Sequence, residues 1–482
     1  MPDLIQTLFP KKSFLRNFSI LISTNILVSA IGMFTSIYIA RILSPENYGK
    51  YGVLLSLVGI LQVFSSLGLP TTITREVSRD QDNSSYYFLS SIFAYFFGFT
   101  LAVIIYFLFS FFSFASIDSN YHGLVLLSLI SVSCWNIIQN VAFGMQRMEH
   151  VGIINLIMTV VLLLVYIVTP KDLITIKFVF SVSIVIQIIK DLIFFWSSKK
   201  AKLFSGNSIF SFNELMKFSI KLIKASLPFF IMGFFSMLSN QMPIQFLNIN
   251  SGTEEVAYFN TANKLLLPIS MIITTAMTAL FPNLAKLYLV DKVNYVCRIQ
   301  DGFKLLIYFG VFGAVIITLF RFEIVEFVYG EKYINTALVL TYQVWFMIAF
   351  AIFNFIGSIL SSSDNENLLT YLSILYAIVS VTILWFGSFH GAEYLSLAFL
   401  IASFINLTYH WYFMEKSLSW PFSNIYRFKL LGSIIIPIVI LFLLPDDISF
   451  FNKILISIAF TSSIIIFNLR KIKFLMKTKL NL

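Results

Sequence analysis

Long apolar runs, each closed by a few polar residues, repeat along the chain; Phe14–Ala40 and Tyr86–Phe112 are examples. A hydrocarbon core about 30 Å thick takes about 20 apolar residues as a helix. The runs at 14–40, 49–69, 86–112, 122–144, 151–169, 173–196, 218–247, 256–281, 303–320, 337–360, 368–388, 394–414, 430–444 and 454–469 therefore predict about 14 transmembrane helices. The expected fold class is an all-α, polytopic membrane protein. Little polypeptide is left outside the bilayer, so the function has to lie in moving something across or within it.

Composition agrees. The chain is 58% hydrophobic and 12% charged, with a mean hydropathy of +0.87, against about 25% charged residues in an average soluble domain. A soluble protein is excluded. Lys11, Lys12 and Arg16 flank the first run, which is longer than a signal core and lacks a small-residue cleavage site, so it reads as a retained helix. Cys134 and Cys297 support no disulfide, zinc site or redox motif. No segment resembles a phosphate-binding Gly-rich loop, a His/Glu metal helix or a nucleophile elbow. No enzyme and no cofactor are expected.

The net charge of +10 would suit nucleic acid, but its distribution argues against that partner. With the N-terminus inside, most Lys and Arg residues fall in inner loops, from Arg75, Arg79 and Arg147 to the tail Arg470–Lys479. This follows the positive-inside rule and places both termini in the cytoplasm. The basic loops read as topology signals and contacts to anionic membrane lipids.

The halves look alike. Ile42–Tyr51 and Asn250–Phe259 each follow the first span of a half and open the next, and the second span of each half ends near a proline, Pro70 or Pro282. Ser44 is placed to cap a helix, with Pro45 in its first turn and Glu46 opposing the positive helix end. Thr253 and Glu254 are expected to act likewise. Six spans separate the copies, so the repeat is parallel. The predicted organisation is a six-helix bundle over 1–197, a basic cytoplasmic linker over 198–216, a second six-helix bundle over 217–415, and two extra helices with a basic tail over 416–482.

Ile37–Gly49, then Leu67-Gly68-Leu69-Pro70 and Thr74-Arg75, resemble the opening of Wzx-type flippases for O-antigen and capsule repeats, within the multidrug/oligosaccharidyl-lipid/polysaccharide exporter superfamily. Phe327–Tyr333 resembles that family too. The resemblance implies two bundles facing each other in a V, with two C-terminal helices beside the second. It implies alternating access and an undecaprenyl-pyrophosphate-linked oligosaccharide turned from the inner to the outer leaflet of the bacterial inner membrane. The polymerase of the same pathway is an implied partner. Two other readings stand beside it. A polysaccharide polymerase or ligase would use large outer loops, and these are short. A cation-coupled drug exporter of the superfamily would use buried acids, and no midspan carboxylate stands out. The energy source, H⁺, Na⁺ or the membrane potential, stays open.

Such a substrate needs a wet cavity with cations for pyrophosphate and hydrogen-bonding groups for sugar, and polar residues inside spans mark where that cavity could be. Lys264 is the leading candidate, on a face with Asn260, Leu267, Met271, Thr274 and Thr278; snorkelling to the interface is its alternative. Lys217, Lys221 and Lys224 form a cationic stripe entering the seventh span, which anchoring alone would also explain. Arg41 and Arg75 fall on the family motif. Asn25, Asn136, Gln139, Asn140, Asn240, Gln241 and Gln245 are candidates for sugar hydroxyls or for interhelical hydrogen bonds. Pro228, Pro243 and Pro268 are candidate kinks or hinges. Lys190 and Asp191 are expected to form an ion pair.

Overall fold

The computed structural model describes residues 12–111, 119–200, 211–363 and 365–418, with 432, 434–437, 439 and 449–457 of the C-terminal region. Every regular element among the described residues is helical. Among the described residues, twelve helical segments are long and apolar enough to cross a membrane, and each of the first twelve predicted runs overlaps one of them. Most of the two C-terminal runs, of the basic linker and of the tail lies outside the described residues. The protein is a polytopic, all-α membrane protein.

In chain order the helices are α1 (Lys12–Ile42), α2 (Pro45–Ser66), α3 (Leu69–Arg79), α4 (Ser84–Phe111), α5 (His122–Gly144), α6 (Met148–Val168), α7 (Ile176–Lys200) and α8 (Phe212–Asn240). They continue with α9 (Met242–Ser251), α10 (Thr253–Val290), α11 (Lys292–Leu319), α12 (Arg321–Tyr329), α13 (Thr336–Ser362), α14 (Glu366–Gly387) and α15 (Ala392–Leu418). Two compact units result. The first takes its residues from Met1–Met271 and Ser373–Leu395, the second from Ile272–Leu372 and Ser396–Leu482.

Local chemistry sets the helix ends. Ser44 accepts from the Asn47 N–H at 3.3 Å and Pro45 starts α2. Glu46 pairs with Lys50 one turn on, at 2.7 Å. The Tyr48 hydroxyl shares a 2.5 Å hydrogen bond with Ser36, tying α2 to α1. The second copy of this start is built differently. Gly252, at φ 96°, ends α9, and Thr253 is already the first residue of α10 rather than its cap. The spans around the prolines also differ from expectation. The second ends at Ser66, where Leu67 (φ 47°) and Gly68 (φ 73°) are both left-handed, and Pro70 lies in the first turn of α3. The eighth-span helix runs past Pro282 to Val290. Pro228 and Pro268 lie inside continuous helices, whereas Pro243 opens α9 after the break at Gln241.

The first unit is held by apolar faces. Leu54, Leu57, Val58 and Leu61 of α2 pack with Ala102 and Tyr106 of α4, Leu129 of α5 and Phe180 of α7. In the second unit α11 packs along α13, and the Phe303 and Phe355 rings meet at 4.9 Å. Tyr295 donates to the Ile359 carbonyl at 3.2 Å. The helical residues 450–457 dock on α12 through a Lys453–Glu323 ion pair at 2.6 Å and a Phe320–Phe450 ring contact. Many large apolar side chains point outward, Phe96 (63% exposed) and Phe309 (72%) among them, as a hydrocarbon surround requires.

Candidate functional site

Within the first unit, α2 meets α9 and α10 along a seam of small residues and amides. A Cβ on Gly49 would sit 1.7 Å from the Thr253 carbonyl oxygen, and one on Gly52 would sit 2.1 Å from Asn260 Nδ2. Only glycine lets the helices approach this closely. About two turns further, the Gln241 amide packs against Gly59. Gln245 is fully buried, and its Nε2 donates to the Val53 carbonyl at 3.1 Å and to the Ser56 hydroxyl. Its Oε1 has no partner among the described residues. Asn260, Gln241 and Gln245, all candidates for sugar contact, thus lie on the face of α2.

Towards the other end of α2, the Ser226 hydroxyl of α8 donates to the Leu67 carbonyl at 2.8 Å, and Ser219 donates to the Ser90 carbonyl of α4 at 2.8 Å. The apolar face of α3 (Leu69, Ile73, Val77) packs against Leu222 of α8. Burying Leu222 turns its neighbours out, so Lys217, Lys221 and Lys224 are all exposed. The Lys221 ammonium lies 5.9 Å over the Phe218 ring. On α3, Arg75 and Arg79 share Glu76, at 3.1 and 3.5 Å. Two packed helices therefore present five cations at one end of the first unit, with Glu76 and Glu214 as the acids alongside.

Lys264 stands one turn beyond Asn260, about 16 Å along α10 from Thr253 at 1.5 Å per residue. It is half-buried. Among the described residues its ammonium has no hydrogen bond or ion pair. The remaining candidates are placed as follows. Arg41 is exposed at the end of α1. Asn25 is half-buried, and its carbonyl accepts from Ser29. Asn140 is 7% exposed; it donates to the Asn136 carbonyl at 2.6 Å and accepts from Thr74 at 3.3 Å. Asn140 thus joins α5 to α3.

The expected Lys190–Asp191 ion pair does not form within 4 Å. The Lys190 ammonium lies 3.8 Å from the Trp135 ring centroid, and Asp191 accepts from Gln187 at 3.2 Å. Adjacent helical positions point about 100° apart, so neither reaches the other. Cys134 and Cys297 are free and exposed. Sequence reasoning also passed over a buried polar group in the second unit, Asn406 and His410 of α15. A histidine inside a span is itself the signal that could have found it.

Three comparisons add to this geometry. No curated protein matches the chain by sequence. Among solved structures, the chain is similar to the lipid II flippase MurJ in an inward closed conformation, with TM-score 0.73, 16% identity, and 94% of this chain and 100% of that one covered. It is similar to an inward-facing multidrug resistance MATE family transporter of the MOP superfamily, with TM-score 0.62, 13% identity, and 84% and 99% covered. It is also similar to a MOP superfamily transporter from Pyrococcus furiosus described as having a binding pocket of reverse polarity, with TM-score 0.55, 16% identity, and 86% and 98% covered. At these identities the likeness is one of fold. The polysaccharide biosynthesis protein family model matches residues 14–288, more than half of the sequence, and the chain belongs to that family.

Proposed function

We propose that the chain is a flippase that turns an undecaprenyl-pyrophosphate-linked oligosaccharide from the inner to the outer leaflet of the bacterial inner membrane by alternating access, with both termini in the cytoplasm. One observation carries the reading: Lys264, in a membrane-spanning helix, with no anionic partner among the described residues. A lysine near a bilayer centre costs about 2.5–3.5 kcal/mol on insertion scales. A diphosphate passing the site would supply the missing anion. The Arg75, Lys221 and Lys224 group would collect the diphosphate at the cytoplasmic mouth before it reaches Lys264. Arg41 would meet it at the opposite end. Asn25, Asn136, Gln241 and Asn260 would meet sugar hydroxyls, while Asn140 is chiefly a clasp between α3 and α5. The two six-helix halves, 1–197 and 217–415, would supply the two sides of the path. Membership of the polysaccharide biosynthesis family and likeness to a lipid II flippase support this over a polymerase.

The test is deletion of the gene with leaflet-resolved analysis of lipid-linked sugars. Complete repeat units should accumulate on the inner leaflet. Normal arrival at the outer leaflet with only short chains there would instead indicate a polymerase. Complementation with Lys264→Ala, at normal protein abundance, should leave the units trapped.

A further inference from the structure

Pro228 and Pro268 stand inside continuous membrane helices, α8 and α10. A proline has no N–H, so it cannot donate to the carbonyl one turn before it, four residues back. The residue whose carbonyl is left open is Lys224 in α8 and Lys264 in α10. Both helices thus carry the same run, Lys-x-x-Leu-Pro, at Lys224–Pro228 and at Lys264–Pro268. Lys224 lies about 18 Å along α8 from Phe212, and Lys264 about 16 Å along α10 from Thr253, at 1.5 Å per residue.

A backbone carbonyl inside a span has to find a hydrogen from protein, water or a ligand. No N–H from elsewhere in the fold and no side chain among the described residues donates to either of these two. On α8 the reason is geometric. The Ser226 hydroxyl is anchored on the Leu67 carbonyl at 2.8 Å, and a Cβ on Gly68 would sit 2.4 Å from the Phe230 nitrogen. Lys224 and Pro228 lie two residues either side of Ser226, about 200° round the helix. They fall on the opposite face, and both are exposed. On α10, Asn260, Lys264 and Pro268 descend one face at four-residue steps, all half-buried.

Each lysine therefore offers two unlike groups within one helical turn: an ammonium, which only donates, and an open carbonyl, which only accepts. A bare diphosphate would use the ammonium alone. A diphosphate carrying a sugar would use both, its oxygens taking the ammonium and a hydroxyl or amide hydrogen of the adjoining sugar taking the carbonyl. Pro282 supplies the contrast. It also lies inside α10, but the residue four places before it, Thr278, carries no charge.

We propose, resting on the flippase reading above, that Lys224 with Pro228 and Lys264 with Pro268 are two stations that recognise the junction between diphosphate and first sugar. The sugar-bearing carrier is thereby bound in preference to the bare one. Each proline is a positioning residue, acting through the carbonyl it leaves open.

The full chain in lipid nanodiscs is titrated with two probes, undecaprenyl diphosphate and undecaprenyl-diphosphate-N-acetylglucosamine, and flipping of both is followed in proteoliposomes. One added hydrogen bond predicts a preference of about fivefold for the sugar-bearing probe in the wild type. Pro228→Ala with Pro268→Ala restores both N–H groups, keeps both lysines, and should bring that ratio towards one. Pro228→Gly with Pro268→Gly should do the same, because glycine supplies the N–H while leaving the helix free to bend. If a pair folds poorly, its single variants are read instead, and each should lower the ratio. Pro282→Ala should keep the wild-type ratio. A wild type without preference, an alanine or glycine set that keeps it, or a Pro282→Ala variant that loses it overturns the proposal. A wild type that prefers the sugar-bearing probe in binding but moves neither probe defeats the flippase reading and leaves the two stations standing. One that flips both probes but binds them alike keeps that reading and removes the stations.

Discussion

Gly52 of α2 faces Asn260 of α10 so closely that a methyl group on the glycine would lie 2.1 Å from the asparagine amide nitrogen. The same helix approaches α10 at Gly49, where the obstacle is a backbone carbonyl rather than a side chain. The two positions should respond differently to added volume. Gly49→Ala should destabilise the protein by about 1–3 kcal/mol or prevent the helices from closing, because a backbone cannot step aside. Gly52→Ala should cost less, and Asn260→Ala should rescue it without rescuing Gly49→Ala. Thermal unfolding in detergent, read beside export of the sugar, checks both statements.

Gln245 is the polar residue most committed to the seam. Its amide serves the Val53 carbonyl and the Ser56 hydroxyl in a fully buried setting. Gln245→Ala should cost about 1–3 kcal/mol through the bonds lost and the space left. Gln241→Ala, at a half-buried position resting on Gly59, should cost less. Equal losses of melting temperature in the two variants would contradict this ordering.

The docking of residues 450–457 on α12 depends on a charge pair of unequal burial, Lys453 at 9% and Glu323 at 38% side-chain exposure. Removing Glu323 leaves a nearly buried ammonium unpaired. The expected cost is about 2 kcal/mol, below the 3–5 kcal/mol of a fully buried pair because the carboxylate is partly solvated. Replacing both partners, Glu323→Leu with Lys453→Met, should recover most of it. A double-mutant cycle on unfolding free energy reads the difference directly.

Outside the spans, Asp291 caps α11. Hydrogen bonds from the Asn294 backbone and side chain hold its carboxyl below the usual range. A depressed carboxyl contributes stability that is present above its unfolded value near 3.8 and is lost as pH falls through the folded value. Hydrogen exchange at residues 292–295 should therefore accelerate, after correction for intrinsic chemistry, as pH drops below about 4. Asp291→Asn should abolish that step, and an unchanged step would mean that another group is responsible.

Much of the fold was legible because spans are set by local hydrophobicity. The Ser44-Pro45 helix start was legible too, since a cap depends on its immediate neighbours. What the sequence could not display was non-local or angular. Thr253 looked like a second cap, but Gly252 in a left-handed conformation starts the helix one residue early. Lys190 and Asp191 are adjacent in sequence yet point to different neighbours. The polarity of Asn140, Gln241, Gln245 and Asn260 was visible; their partners on α2 and α3 lie far off in sequence, so their packing role was not. His410 was passed over because its burial against Phe353 exists only once α13 and α15 are packed.

The central claim is that Lys264 serves a diphosphate lipid crossing the bilayer. The most direct measurement is leaflet-resolved flipping of an undecaprenyl-pyrophosphate-linked oligosaccharide in proteoliposomes, comparing the wild type, Lys264→Ala and Lys264→Arg at equal reconstitution. The account predicts flipping by the wild type, at least a tenfold loss in the alanine variant, corresponding to about 1.4 kcal/mol of lost interaction, and partial recovery in the arginine variant. Flipping by Lys264→Ala at the wild-type rate would contradict it.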